Sequence, residues 1–538
     1  MIGVAASVED LCVAKEFFEL FKTPWEPAVP NKQYAVVLST DGSIENLSAE
    51  CFLVYHSSAQ IVDREAGVAV EAVDGPTEVG WANTVFPIYG PAAFFATHAG
   101  ILKCGERTLD YRFSGAAGRI RRIGYDLFRE VRALLTEGQP ASRAATPTLD
   151  LHVELLRRLL LDLGVSFVEI PPRPCGYEFV CCLTHDVDFL GIRRHPFDRT
   201  LTGFALRASV GTLLELLRGR RPLSEALQNW VALLTLPLVF LRLLPDFWRP
   251  FEDYAAVEGG HKSTFFLVPF KGKASVGPDG TVSAGRAVPY QIREIRNPLN
   301  EVTARGSELA VHGIDAWRDV DLGRAELAEL TSVTGQNAAG VRMHWLYFER
   351  DSAKRLEEAG FAYDSSCGYN DAVGYRAGTS QVFRPLGTSR LLELPLTIMD
   401  SAMLFPRRMA LTSKQSLQRC YAILANARRF GGTLVINWHD RSLAPERLWG
   451  WCYRELLSEL AKGDRAWFAT AAEAVGWFRW RRSIRFDSEL KGTTEIRAAA
   501  PLDGLPPARV VVHRRSSARA GRTDELRFDG DNVLRLAL

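Results

Sequence analysis

From residue 179 to about residue 480, short apolar runs alternate with helical segments, and this alternation constrains the fold more than any other feature of the chain. The runs at 179–183, 263–268, 308–311, 391–396 and 433–437 have the length and content of buried strands. Helical segments at 324–330, 352–359 and 416–429 lie between them. Strands that are apolar throughout are buried on both faces, and strands that alternate with helices run parallel. The expected architecture is therefore α/β, built on a parallel sheet that is open or closed into a barrel.

At 538 residues the chain is too long for one ordinary domain. Residues 1–170 mix strand-like runs (34–38, 51–55) with helical periodicity (120–135, 149–163) and read as an N-terminal α+β domain. Residues 1–21 read as an amphipathic helix. The alternating domain occupies 171–482 and is interrupted at 189–258 by a helical insertion rich in Leu and Arg, of the kind that builds a lid or substrate wall. Short apolar runs at 508–512, 526–528 and 533–536 make 483–538 a small β-rich appendage.

The bulk numbers exclude some classes. Sixty-five basic residues face 63 acidic ones, so no strong field calls for nucleic acid. Nine cysteines, an odd number without a CxxC pair, read as reduced thiols. Acidic residues within 1–21 break any export signal, and the expected location is cytoplasmic. The most apolar run, 230–241, is twelve residues long with Pro237 inside it. That is short of the roughly 20 residues a bilayer core needs, so no transmembrane span is expected, only peripheral contact with a membrane surface through 230–241.

Polar, proton-active residues stand at the strand ends. Asp186 and Asp188, two apart on an extended segment, point the same way. His312 follows the 308–311 run, with Asp315 three residues on. Arg342, His344 and Trp345 sit in 340–346, and His439 follows Asn437 and Trp438. Tyr363, Asp364, Ser365 and Ser366 form a fifth cluster, followed by Tyr375 and Arg376. A parallel barrel gathers its strand ends at one rim, so together these clusters form a candidate active site.

The order Asp-x-Asp, Phe265-Phe266, His312-Gly313, Arg-x-His-Trp, Tyr-Asp-Ser and Trp438-His439 resembles the polysaccharide deacetylase superfamily, also called NodB-homology or carbohydrate esterase family 4. The resemblance runs from 179 to about 480 and says nothing of 1–170 or 483–538. It implies a distorted parallel (β/α) barrel and a divalent metal, Zn2+ by expectation. Asp186 matches the general base, Asp188 and His312 match metal ligands, Arg342 matches the arginine that holds the base, and His439 matches the general acid. Such enzymes remove acyl groups, usually acetyl, from N-acylated sugars; relatives remove formyl groups or open cyclic amides. The implied substrate is thus a carbohydrate, a bacterial exopolysaccharide or a lipid-linked sugar precursor.

The chain departs from the family at the second motif, where a histidine normally stands four residues after the first: here that position is Ala316. Asp315 is the expected replacement ligand, with His344 and His185 as alternatives, although Asp315 would serve equally as a helix N-cap. Trp345, Asp364, Tyr375, Arg376 and Trp438 are candidates for shaping a sugar pocket, each with an ordinary packing or loop role as the alternative. Two further functions stay open: hydrolysis of a small non-sugar amide on the same scaffold, and a catalytically inactive carbohydrate-binding protein, which the missing histidine favours.

Overall fold

The computed structural model describes residues 1–538 apart from 98, 116–117, 220–221, 337–338, 448, 490–492, 499–503, 515–521, 531–532 and 538. The chain divides into two compact units: residues 1–175, 377–386 and 476–538 form one, and residues 176–376 and 387–475 form the other.

The second unit carries the strand-end clusters. All nine residues of its strand Phe179–Val187 are buried, which explains why the run shows no polar alternation. It pairs in parallel with Ser263–Leu267 on one side and Thr433–Asn437 on the other. The sheet continues in parallel through Glu308–Gly313, Gly340–Met343, Tyr363–Asp364 and Leu392–Glu393, and beyond Thr433–Asn437 through Ile398–Met399. Ala466–Phe468 also pairs with the first strand. No ladder among the described residues joins Leu392–Glu393 to Ile398–Met399, so the expected barrel is an open one. Register aligns the strand ends: Asp186 lies opposite Phe266, Thr184 opposite Asn437, and His312 opposite Arg342.

Two strand expectations shorten. The run at 391–396 is a strand only at Leu392–Glu393. The segment at 340–346 leaves the sheet after Met343 in a 3-10 turn, His344–Leu346.

The insertion is helical, as its composition implies. A continuous helix, Arg199–Leu217, contains a π turn and is followed by Leu223–Phe240 and Pro250–Val257. Their inner faces pack Phe204, Ala208, Ala232 and Val239 against Ile192 and Trp248. Asn229 Nδ2 donates to Thr212 Oγ1 at 2.7 Å between the two long helices. The helix of 230–241 begins earlier than its most apolar stretch and runs through Pro237 for 18 residues. By length and composition alone, Arg199–Leu217 and Leu223–Phe240 are each long and apolar enough to cross a membrane.

The first unit holds a six-stranded sheet in the order Asp110–Gly115, Gly118–Ile123, Cys51–Tyr55, Val36–Ser39, Ile2–Ala5, Trp25–Pro27. It is parallel except for the hairpin of its first two strands. The expected helix at 1–21 is a strand, Ile2–Ala5, followed by a helix, Val8–Phe21, that Ser7 caps. The helical reading of 120–135 likewise splits into the strand Gly118–Ile123 and the helix Leu127–Thr136. Buried Arg121 and Arg122 mislead a pattern-based reading here, because Arg122 pairs internally with Asp63 at 3.1 Å. Of the C-terminal strands, Ala508–Arg514 pairs with Phe167–Glu169 and with Arg522–Phe528, whereas Arg485–Glu489, Thr493–Arg497 and Leu534–Ala537 form a sheet of their own. Part of 483–538 lies outside the described residues.

Candidate metal centre and acid–base site

Three strands deliver their polar residues two apart, and the spacing sorts them into two tiers. The inner members Arg342 and Asn437 grip Asp186: Arg342 Nη1 donates to Asp186 Oδ1 at 2.9 Å, and Asn437 Nδ2 donates to Asp186 Oδ2 at 2.8 Å. The outer members Asp188, His344 and His439 line one cavity of about 450 Å³, together with Asp186 and His312. Strand alternation puts residues i and i+2 on one face at different depths, which accounts for Asp186 and Asp188, whereas His344 reaches the outer tier from the 3-10 turn that follows Met343.

Asp188, His312 and His344 each offer one ligand atom, all within 4.8 Å of one another. Asp188 Oδ1 lies 3.5 Å from His312 Nε2 and 3.4 Å from His344 Nε2, and it is buried without a hydrogen-bond partner. Tetrahedral ligands on bonds of about 2.0–2.2 Å stand roughly 3.4 Å apart, so these separations fit a shared ion better than hydrogen bonds. His312 Nδ1 donates to the Arg342 carbonyl at 2.9 Å, which leaves the Nε2 lone pair toward the cluster. Burial lowers the His344 pKa to about 3 despite Asp188, so this ring is neutral, as a ligand must be. For Asp188, burial works toward neutrality, but the neighbouring imidazoles of His344, His312 and His439 hold its carboxyl below the usual range. The donor set fits a divalent cation.

The turn that aims His344 is strained. Trp345 and Leu346 have φ of 67° and 54°, left-handed values that cost non-glycine residues energy. Arg286 Nη2 donates to the His344 carbonyl at 3.3 Å and Asn370 Nδ2 to the Trp345 carbonyl at 2.8 Å, which fixes the turn.

His439 forms the other side of the site. Its Nδ1 donates to Asp400 Oδ1 at 2.6 Å, and its backbone N–H donates to Asp400 Oδ2 at 2.8 Å. Burial disfavours the charged ring, but Asp400, then Asp186 and Asp188, outweigh it and push the His439 pKa up to about 9. Asp186 is similarly balanced: burial raises its pKa, while Arg342, His312 and His439 bring it below the ordinary value. The cavity therefore holds an ionised carboxylate and a protonated imidazole at neutral pH. Arg342 is itself held by Ser365, whose carbonyl and Oγ accept from Nε at 3.2 Å and Nη2 at 3.0 Å.

Several expected site residues lie elsewhere. Asp315 is not at the metal cluster: it accepts from Arg318 Nε at 2.7 Å and from Ser275, because it sits in the turn beyond the strand rather than at its end. His185 faces away, with Nδ1 on the Trp438 carbonyl at 2.9 Å and Nε2 on Glu258 at 2.8 Å. Of the candidate pocket residues only Trp345 lines the cavity. Asp364 is buried and accepts from Ser366, whose Oγ in turn accepts from the Met343 N–H at 2.9 Å, so it braces the strand of Arg342. Trp438 is buried against Tyr453, and the Tyr375 hydroxyl is buried on the Ile423 carbonyl at 3.3 Å. Arg376 is exposed and donates to the Gly368 carbonyl at 3.0 Å. Asp400 and Asn437 were missed as functional residues. Asp400 follows the strand Ile398–Met399, whose run is broken by Pro395 and Thr397, so the strand-end signal that marks Asp186 is weak there.

Fold and site define a class: an open parallel α/β barrel with an Asp–His–His cluster and an acid–base pair at its strand ends. No family model matches the chain, and no curated protein sequence does. Solved structures similar to it include a Mycobacterium smegmatis protein assigned as a polysaccharide deacetylase, 18% identical over 58% of this chain and 95% of that one, TM-score 0.35. A Pseudomonas aeruginosa PAO1 protein with the same assignment is 17% identical over 56% and 92% of the two chains, TM-score 0.33. The Puue allantoinase is 13% identical over 57% and 91%, also at TM-score 0.33. At these TM-scores the likenesses assign no residue.

Proposed function

We propose that this chain is a divergent polysaccharide-deacetylase-type hydrolase that removes an acyl group, acetyl by expectation, from the amide nitrogen of an N-acylated sugar. The observation that carries this reading is the convergence of Asp186, the Asp188–His312–His344 cluster and the Asp400-held His439 on one cavity. Metal-assisted amide hydrolysis uses an ion site, a base and an acid within one cavity, and residues from several strand ends offer them here.

A divalent ion bound by Asp188, His312 and His344 would polarise the amide carbonyl and ease the ionisation of water. Asp186, kept anionic by Arg342, accepts the proton of the attacking water. His439 carries a proton at neutral pH and gives it to the leaving nitrogen, so the amine departs uncharged as the C–N bond breaks. Asp400 holds the ring in the tautomer and orientation that this transfer needs. The main support for an inactive binding protein was the histidine missing after His312, and His344 offers an imidazole in its place.

The test is acetate release from N-acetylated sugars by the purified protein loaded with divalent metal. Wild type should turn over, and Asp186→Asn should not while still holding metal. Turnover retained in Asp186→Asn removes the assignment of the base. Tight glycan binding without product favours the inactive reading.

A further inference from the structure

One wall of the cavity is cationic beyond what the hydrolysis of a neutral amide uses. Arg407, Arg408, Arg441 and Arg447 line it, beside Trp449. The Arg441 guanidinium lies 3.6 Å over the Phe189 ring, and that of Arg447 lies 4.8 Å over Trp449. Stacking on rings holds these two cations, and Arg408 Nη1 donates to Ser401 Oγ at 2.9 Å. Arg447 is buried and its Nε has no hydrogen-bond partner. Asp400 is engaged by His439 and Ser442, and Asp440 Oδ2 accepts from the N–H groups of Phe189 and Leu190 at 2.6 and 2.7 Å, while Asp440 Oδ1 and both Glu446 oxygens are buried without a hydrogen-bond partner. Glu446 faces Arg207 at 3.7 Å. Burial first, then the charges of Arg441 and Arg207, lower the Arg447 pKa well below its usual value, with Glu446 opposing. Cations crowded together in this way call for an anion.

We propose that Arg407, Arg408, Arg441 and Arg447 form a subsite for a phosphoryl group on the substrate, a diphosphate suiting four guanidinium groups better than a single carboxylate does. The assignment rests on the hydrolase reading only for what the anion is attached to. The test titrates inorganic pyrophosphate into the full chain by calorimetry, in chelator so that no metal can hold the anion. Wild type should bind, and Arg447→Gln and Arg441→Gln should each weaken binding by roughly tenfold, the effect of losing one charge-assisted contact. Arg407→Gln, at an exposed position, should weaken binding without a risk to folding. No binding by wild type, or binding that none of the three variants changes, overturns the subsite. Loss of acetate release alone leaves pyrophosphate binding intact, so failure of the hydrolase reading is read separately. Comparing a nucleoside-diphosphate N-acetylhexosamine with a lipid-diphosphate one in micelles then tells which source supplies the phosphate.

A different observation concerns the helical hairpin. Its outward faces are apolar: Leu206, Val210, Leu213 and Leu217 recur at helical spacing on the first helix, and Leu227, Val231, Leu234 and Leu238 on the second. Their exposures run from 39% to 78%, which for a soluble surface is an unusual concentration of aliphatic area. The inner faces are occupied by the packing on Ile192 and Trp248, so the hairpin is fitted to lie on a surface rather than to cross one. Between residues 199 and 243 the sequence has six arginines and two glutamates; Arg207 faces Glu446, Arg220 and Arg221 lie outside the described residues, and Arg199 and Arg242 stand at the two ends of the stripe. Phe197, 98% exposed, stands just before it. Protein interfaces centre on Tyr, Trp, Met and Arg, whereas an aliphatic stripe rimmed by arginines is the pattern of a helix embedded among anionic headgroups.

We infer that residues 197–243 dock the protein on an anionic bilayer. The test sediments the full chain with phosphatidylcholine vesicles containing phosphatidylglycerol, and with phosphatidylcholine alone. Wild type should pellet with the anionic vesicles, less with neutral ones, and lose at least roughly tenfold in partitioning when Leu217→Gln, Leu227→Gln and Leu234→Gln are combined. These positions are exposed, so unfolding temperature should not fall. Absence of vesicle binding overturns the inference, as does a stable wild-type dimer that the triple variant dissociates while vesicle binding stays nil.

Discussion

Arg342 Nη1 stands 2.9 Å from Asp186 Oδ1, with both side chains buried, and the same guanidinium group donates to Thr184 Oγ1 at 2.9 Å. The pair keeps anionic a carboxylate whose pKa burial works to raise. Replacing Arg342 by Met should leave the carboxylate with Asn437 as its remaining donor. A broken buried ion pair costs about 3–5 kcal/mol, and denaturant unfolding should read a loss of that order. Adding Asp186→Asn to Arg342→Met removes the stranded charge and should recover part of it. A double variant no more stable than Arg342→Met would show that Asp186 is not what Arg342 stabilises.

Metal retention distinguishes His344 from Asp315 as the third ligand. His344→Ala removes a ring whose Nε2 faces Asp188 at 3.4 Å. Its loss should weaken metal binding by more than the roughly 10–100-fold that loss of an outer partner costs. Asp315→Ala removes a carboxylate engaged by Arg318 and should leave metal content unchanged. Metal analysis after dialysis checks both, and the reverse pattern would return Asp315 to the site.

The contrast between these two residues shows what the sequence could and could not reveal. Strand ends were legible because buried parallel strands are apolar throughout and stop at polar residues; Asp186, Asp188, His312, Arg342 and His439 all obey that rule. The third member of the cluster was legible only as an alternative to Asp315, because His344 comes from a different strand, through a turn in which Trp345 and Leu346 are left-handed. Sequence spacing carries no information about that approach. Asp400 was overlooked for a similar reason: its strand, Ile398–Met399, is two residues long, too short to show a pattern. In the first unit, pairing between Ile2–Ala5 and Val36–Ser39 overrides a local helical pattern, and internal pairing of Arg122 disguises a buried strand.

The pH profile should report on His439. Its pKa is raised from 6.5 to about 9, largely because Asp400 faces it. The acid stays protonated through neutral pH, and activity should fall as pH rises through about 9. Asp400→Asn removes the main charge that raises it, so the alkaline limb should move down toward the ordinary value. The stability that the pair contributes follows the same sign, being complete below pH 6.5 and lost as pH passes about 9. An alkaline limb that does not move in Asp400→Asn would detach it from His439.

Gly340 opens the strand that carries Arg342, and a Cβ there would lie 2.0 Å from the Tyr363 ring. Tyr363 has no room to withdraw: it is buried, and its hydroxyl donates to Glu308 Oε1 at 2.8 Å across the sheet. The backbone of Gly340 must move instead, and the displacement is passed two residues on to Arg342 and four residues on to His344. Overpacking of this kind costs about 1–3 kcal/mol, so Gly340→Ala should lower stability by that amount in denaturant unfolding. It should also reduce metal affinity, although the residue touches neither ligand nor cavity. If Tyr363→Phe is combined with Gly340→Ala, the hydroxyl anchor is gone and the ring can tilt, so part of the lost metal affinity should return. A Gly340→Ala protein with wild-type stability and wild-type metal binding would mean that the ring yields freely and that this close approach does not position the site.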